Sequence, residues 1–357
     1  MKKTVLLFVL PTIIICVAGC DKDDPVGTNP VNSVKGVFVL YEGVFGQPST
    51  YDYGYIDQLT GNVQANVYQN SNGGANLNSF PDGMLMNNNN REILITAQGP
   101  YAGLGTIYKI NSTTNQVIST KSFGKNPYSI AVGTSGKILA SNTAGDYVSV
   151  LDQELNVTDS VSVGLNPSDI IYNSGKFYCV KQSYTTENSL AVIDEITLNI
   201  QKVFFPNPPI SVAAKDGKVF VSTYGSKMLY LVDQSSNNIV DSSSIPTTFV
   251  GISELASGVG NTIYIVGIDT AFFYSLGKEI WKFDIVIKTA VKIISSTSSR
   301  TNIYGINFDA NSGYLYIADA LDGIVNGELR VYDQNGSLVK TYANIGGKYP
   351  KRIVFKY

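Results

Sequence analysis

The chain has 357 residues, with 26 Lys and Arg against 28 Asp and Glu, no histidine, three cysteines, one tryptophan and 23 tyrosines. A net charge of −2 without a basic stripe argues against a nucleic-acid partner, because nothing is arranged to neutralise phosphates. The lack of histidine removes the usual neutral-pH acid/base and the commonest metal ligand, which counts against most hydrolytic mechanisms.

Met1-Lys2-Lys3 is a short basic start, and Thr4 to Val17 is an apolar stretch too short to span a bilayer comfortably. Val17-Ala18-Gly19-Cys20 then reads as a small-residue cleavage site ending in Cys. The whole of residues 1–19 looks like a bacterial lipoprotein signal, with Cys20 expected to become the lipidated N-terminus. A lipid on Cys20 anchors a chain to a membrane surface without spanning it. Residues 20–34 are expected to be a flexible tether, since Pro25, Gly27 and Pro30 interrupt a segment with too few apolar residues to fold. Its acidic beginning, Asp21-Lys22-Asp23-Asp24, resembles the signal that sends Bacteroidota lipoproteins to the outer face of the outer membrane. With Cys16 removed and Cys20 lipidated, Cys179 has no partner for a disulfide.

From residue 35 onward the sequence repeats. Short alternating runs end in an acidic or amide residue and a polar turn at Asp57, Asn111, Asp152, Asp194, Asp233, Asp284 and Asp333, spaced by 54, 41, 42, 39, 51 and 49 residues. Before most of them stands a run such as "GKILASN", "GKFYCVK" or "GKVFVST". Before that comes Pro-x-x-apolar, at Pro81, Pro127, Pro167 and Pro209. Each unit offers about four strands with period-two alternation and no helical periodicity, which predicts an all-β, seven-bladed β-propeller over residues 35–357. The chain opens at Gly36 on what matches a second strand and closes at "YPKRIVFKY", which matches a first strand. The C-terminal segment from Pro350 is therefore expected to pair into blade one and close the ring.

Within this repeat Asp169 and Lys176 fall at ordinary turn or edge positions, and Cys179 takes the slot of Ala140 and Val221, a small buried core residue. The repeated Asp and Asn residues read as turn makers whose side chains accept backbone N–H groups two residues on, in preference to a calcium ring.

Loops between second and third strands, and loops between blades, meet on one face of a propeller. They carry Tyr51, Tyr53, Tyr101, Tyr184, Tyr224, Phe272, Phe273 and Tyr274, joined by Phe80, Tyr128, Phe249, Tyr304 and Tyr349 from between the blades. Aromatic side chains beside Asn, Ser and acidic neighbours suit a flat, polar-edged ligand such as a sugar or a macrocycle. The alternative is that these rings plug the channel and cover blade ends.

"GVFVLYEGVFGQ" at 36–47 and "IYGINFDANSGYLYIADALDGIVNGELRVYDQNGSLVKTY" at 303–342 resemble the first and last blades of the surface propeller lipoproteins of Bacteroidota, within the YVTN-type seven-bladed propellers. The best-known members of that branch capture cobalamin and cobinamide and pass them to a TonB-dependent outer-membrane transporter, and others have no assigned ligand. The resemblance implies a non-enzymatic, surface-exposed capture protein with no cofactor of its own, with Glu42, Asp319 and Asp322 on the ligand face. The family motif commonly has Asn before that Glu, where this chain has Tyr41. A glycan- or protein-binding scaffold is the alternative, and a lactonase-like enzyme is disfavoured. No Ser-x-Asp-x-Gly-x-Thr-Trp box is present, and Trp281 sits alone in a third strand.

Overall fold

The structure is a computed structural model and describes residues 34–77, 79–182, 184–269, 277–295 and 301–357. It is an all-β propeller of antiparallel four-stranded groups. The ring closes as the sequence predicts: Pro350–Lys356 pairs with Gly36–Tyr41, ahead of Asp52–Asp57 and Val63–Gln64. Four further four-stranded sheets begin at Pro81–Asn87, Pro127–Val132, Pro167–Asn173 and Pro209–Lys215. Five blades thus stand as separate sheets, where seven separate ones are expected from the repeat. The remaining eight strands, from Gly251–Ser257 to Leu338–Tyr342, form one sheet. Its two halves join at a single residue pair, Gly277 with Ile303. Gly277 makes that junction possible, because a Cβ there would lie 2.4 Å from the Ile303 carbonyl oxygen.

The core is divided among clusters lying between neighbouring four-strand groups. Phe38 and Leu40 of the first group face Ile93, Ile95 and Tyr108 of the second, and Leu139 and Val148 face Phe177 and Cys179. Val266 and Ile280 likewise face Leu315 and Ile317 across the two halves of the eight-stranded sheet. No group buries both its faces by itself, so stability comes from stacking around the axis.

The hairpin turns follow the repeat. Asp57 accepts the N–H groups of Leu59 and Thr60 at 2.9 Å, Asn111 those of Thr113 and Thr114, and Asp284 those of Val286 and Ile287. Asp152, Asp194, Asp233 and Asp333 accept comparable bonds. One element departs from the expectation of strands alone. The outer strand of the first group is only Val63–Gln64, and a short helix, Val67–Ser71, follows it. Asp52 holds that helix by accepting the N–H groups of Tyr68 at 2.7 Å and Gln69 at 3.0 Å. Tyr41 belongs to the same packing: its hydroxyl donates to Asn66 Oδ1 at 2.7 Å, and its ring fills the space that a side chain at Gly347 would need.

Candidate functional site

The first strands of the groups pack side by side around a central channel. In each of them the pairing register slips just after the strand begins. A β-bulge leaves residues unpaired and re-aims them. Here the slips fall at Lys351, Asp82, Tyr128-Ser129, Ser168-Asp169, Ile210, Ser253-Glu254 and Tyr304, and most of these residues line the channel. The Pro-x-x-apolar start signal is the sequence form of this bulge. Its two variable positions are the ones that carry charge.

Lys351 is the centre of the resulting cluster. Its Nζ donates to Glu42 Oε1 at 2.5 Å, Asp82 Oδ1 at 2.9 Å and Tyr128 OH at 2.7 Å, and lies 4.3 Å from the Tyr128 ring centroid. Tyr304 donates its hydroxyl to Glu42 Oε2 at 2.6 Å. Arg352 donates to the Asp82 carbonyl at 2.9 Å and pairs with Asp169. Glu42 and Asp82 are only 4% and 1% exposed, so this is a buried network. Burial pushes Asp82 up to about 7, against the pull of Lys351 and with the push of Glu42. Burial, reinforced by Asp169, likewise raises Glu254 to about 7. Burial works against the Lys351 ammonium, but Asp82 and Glu42 hold its pKa well above the ordinary value.

The channel encloses two cavities, of about 210 Å³ and 160 Å³, both lined by Asp169, Glu254 and Lys351. Ser129, Ser211 and Asn307 line the former, and Tyr304, Gln182 and Lys181 the latter. Such a channel can hold polar groups. Among the described residues no group of three or more Asp, Glu or Cys side chains stands in a metal-holding arrangement.

Beside the channel mouth lies a cleft of about 360 Å³, between the second-to-third loops of the first two groups. Phe45 and Tyr101 form its outer walls, 83% and 92% exposed. Phe80 packs edge-on against both Phe45 and Tyr51, with ring centroids 5.7 Å apart in each pair. Tyr51 is fixed from below by the Gly46 N–H, which donates to its hydroxyl at 2.8 Å. Gln98 and Asn126 complete the lining, and Gln98 Nε2 donates to Asp82 Oδ2, which ties the cleft to the channel cluster.

The expected ligand residues divide into three groups. Glu42, Tyr128 and Tyr304 meet at the channel mouth, and Tyr349 packs on Tyr304 with ring centroids 5.6 Å apart. Phe80 and Tyr101 line the cleft, with Tyr184 half exposed and in electrostatic contact with Tyr101. Tyr224 lies by its own loop, where its N–H donates to the Pro208 carbonyl at 2.9 Å.

Tyr53 and Asp319 are corrections. Tyr53 is fully buried against Phe38, because period-two alternation turns it into the core and away from the rim. Asp319 is fully buried as a loop clamp, accepting the N–H groups of Asn302 and Leu321 at 2.8 Å and pairing with Arg330 at 3.0 Å. Asp322 is exposed and accepts the Ile324 N–H at 3.0 Å in a turn. Phe272, Tyr274 and Cys20 lie outside the described residues.

Asp169 is a third correction, since it faces the channel and pairs with Arg352 where a plain turn or edge residue is expected. Lys176 does sit at a hairpin end, where it donates to the Gln234 carbonyl at 2.6 Å and links two groups. Cys179 is buried core, its thiol pushed up to about 12 by desolvation. Sequence reasoning passed over Asp82, Glu254, Lys351 and Arg352, although the variable positions of the Pro-x-x-apolar signal hold three of them. It also passed over Phe45, which follows no repeat, and Gln98 and Asn126, whose positions recur at Gln182 and Asn166.

A β-propeller with a charged channel mouth and an aromatic cleft on one face is the class that this geometry defines. The chain belongs to the family described as a domain of unknown function (DUF5074), which matches residues 35–356. No curated protein matches it in sequence. Among solved structures it is similar to a quinoprotein alcohol dehydrogenase-like protein from Bacteroides thetaiotaomicron, at 16% identity and a TM-score of 0.65, covering 91% of this chain and 79% of that one. It is also similar to a functionally unknown protein from Desulfotomaculum acetoxidans, at 11% identity and a TM-score of 0.65, covering 91% and 99%. Virginiamycin B lyase from Staphylococcus aureus is similar at 13% identity and a TM-score of 0.58, covering 73% and 83%. At these identities the likeness speaks for the fold alone.

Proposed function

We propose that this protein is a lipid-anchored binding protein that captures a small molecule on the face where the aromatic cleft meets the channel mouth. The observation that carries the reading is the cleft itself: Phe45 and Tyr101 stand almost fully exposed beside amide groups, and a solvent-facing aromatic wall of this kind is what stacking on a ligand requires. The channel cluster behind it is satisfied by its own ion pairs and positions the loops. Residues 1–20 favour lipidation at Cys20 and display on the outer membrane. The likeness of residues 36–47 and 303–342 to the capture lipoproteins makes a corrinoid the first ligand to test and a TonB-dependent transporter the expected recipient.

The eight-stranded sheet is best read as two blades bridged at Gly277, which restores sevenfold symmetry. Its halves face each other across an apolar cluster as neighbouring blades do elsewhere.

The test is gel filtration of the purified chain with excess cyanocobalamin, followed at a visible corrinoid band, for the wild type and for Phe45→Ala with Tyr101→Ala. Coloured wild-type protein and colourless variant support corrinoid capture at this face. Colourless wild type rejects the corrinoid and leaves capture of a different small molecule to be tested.

A further inference from the structure

The cleft is more selective than its aromatic walls alone require. Among the described residues no charged side chain lines it. Ligand sites commonly run from about 300 to 1,000 Å³, so a volume of about 360 Å³ is at the small end and holds one or two rings. At its base Asn126 is 5% exposed, and its Oδ1 is buried with no hydrogen-bond partner. The orientation of that amide is fixed by its other end, since Nδ2 donates to Gln98 Oε1 and to the Gly99 carbonyl, each at 3.2 Å. Oδ1 is therefore the end left to accept. A buried acceptor without a donor is costly, and Oδ1 lies below the reach of solvent, so it marks tight packing beneath the cleft base.

Resting on the capture reading above, we infer that this cleft is a subsite for a neutral saccharide ring. The apolar C–H face of a sugar stacks on Tyr101 and Phe45, and its hydroxyls meet the amide side chains of Gln98 and Asn126 that line the base. Tyr51 holds Phe80 in place behind them, so the platform exists before the ligand arrives. An anionic sugar meets no cation among the described lining residues, and Lys351 and Arg352 of the channel are committed to Glu42, Asp82 and Asp169.

Isothermal titration calorimetry of the full chain tests this with maltose, cellobiose and N,N′-diacetylchitobiose, with glucuronate as the anionic control and cyanocobalamin in a parallel arm. At least one neutral disaccharide is expected to bind below about 10 mM, and Tyr101→Ala is expected to weaken it about tenfold, the loss of one aromatic contact. Tyr101 is almost wholly exposed, so the substitution leaves the fold intact, and circular dichroism checks this. Glucuronate binding as tight as the neutral sugars, or sugar binding indifferent to Tyr101→Ala, overturns the inference. Cyanocobalamin bound with no sugar bound overturns it too while sparing the capture reading. Failure of both arms overturns the inference and rejects the corrinoid with it.

Discussion

Replacing Lys351 with Met removes the charge and keeps most of the side-chain volume. In the wild type the ammonium stands 2.5 Å from Glu42 and 2.9 Å from Asp82, whose side chains are 5% and 1% exposed. At an effective dielectric of about 20, each contact is worth about 6 kcal/mol, against which the desolvation of three buried ions must be set. Removing one partner of such a buried set typically costs about 3–5 kcal/mol, and the lower end applies because Asp82 titrates near 7. Urea denaturation of Lys351→Met at pH 7 is therefore expected to show a loss of about 3 kcal/mol. At a pH of about 5 the orphaned Asp82 takes a proton, and the loss should shrink. A loss under about 1 kcal/mol at pH 7, or one that grows on acidification, refutes the view that this ammonium neutralises buried carboxylates.

Other consequences follow from the same contacts. Asp82 and Glu254 have folded pKa values raised to about 7, so the stability linked to them is fully present below the ordinary carboxylate range and is lost as pH rises through 7. The aspartates of the hairpin turns, lowered by backbone hydrogen bonds, act oppositely and lose their contribution as pH falls through their folded values. Thermal unfolding scans should thus place maximum stability on the acid side of neutrality, near a pH of about 5, and a maximum above 7 contradicts this. Asn111→Ala removes two turn hydrogen bonds and should cost about 1 kcal/mol in chemical denaturation. Cys179 should resist a thiol reagent in the native protein and react fully once unfolded, since it is buried with its thiolate disfavoured. Deleting residues 350–357 removes the ring-closing strand together with Lys351 and Arg352, and should abolish cooperative unfolding.

Much of the fold was legible because blade formation is written in period-two alternation and in turns that need Asp or Asn. Ring closure was legible because the chain begins on a second strand and ends on a first. The joining of the last eight strands was hidden, since it depends on one backbone approach at Gly277 that leaves no periodic trace. The helix at Val67–Ser71 was hidden for a different reason: it is too short to show a period and is held by Asp52 from another strand.

The site was legible as a face and only partly as residues. Tyr101 and Phe80 follow from loop length, but Tyr53 lies one step inside the strand, where alternation turns it into the core. The charged cluster depends on bulges, and a slip of register re-aims Lys351, Asp82 and Asp169 without altering their place in the repeat. Asn126 gains its importance from Gln98 and Gly99, which belong to a neighbouring loop.

The most direct test of the central claim is a thermal-shift measurement on the wild type and the Phe45→Ala, Tyr101→Ala variant, across cyanocobalamin and the neutral disaccharides. A ligand that raises the melting temperature of the wild type and leaves that of the variant unchanged is the predicted result. A ligand that raises both equally binds elsewhere and contradicts the assignment of the cleft as the capture site.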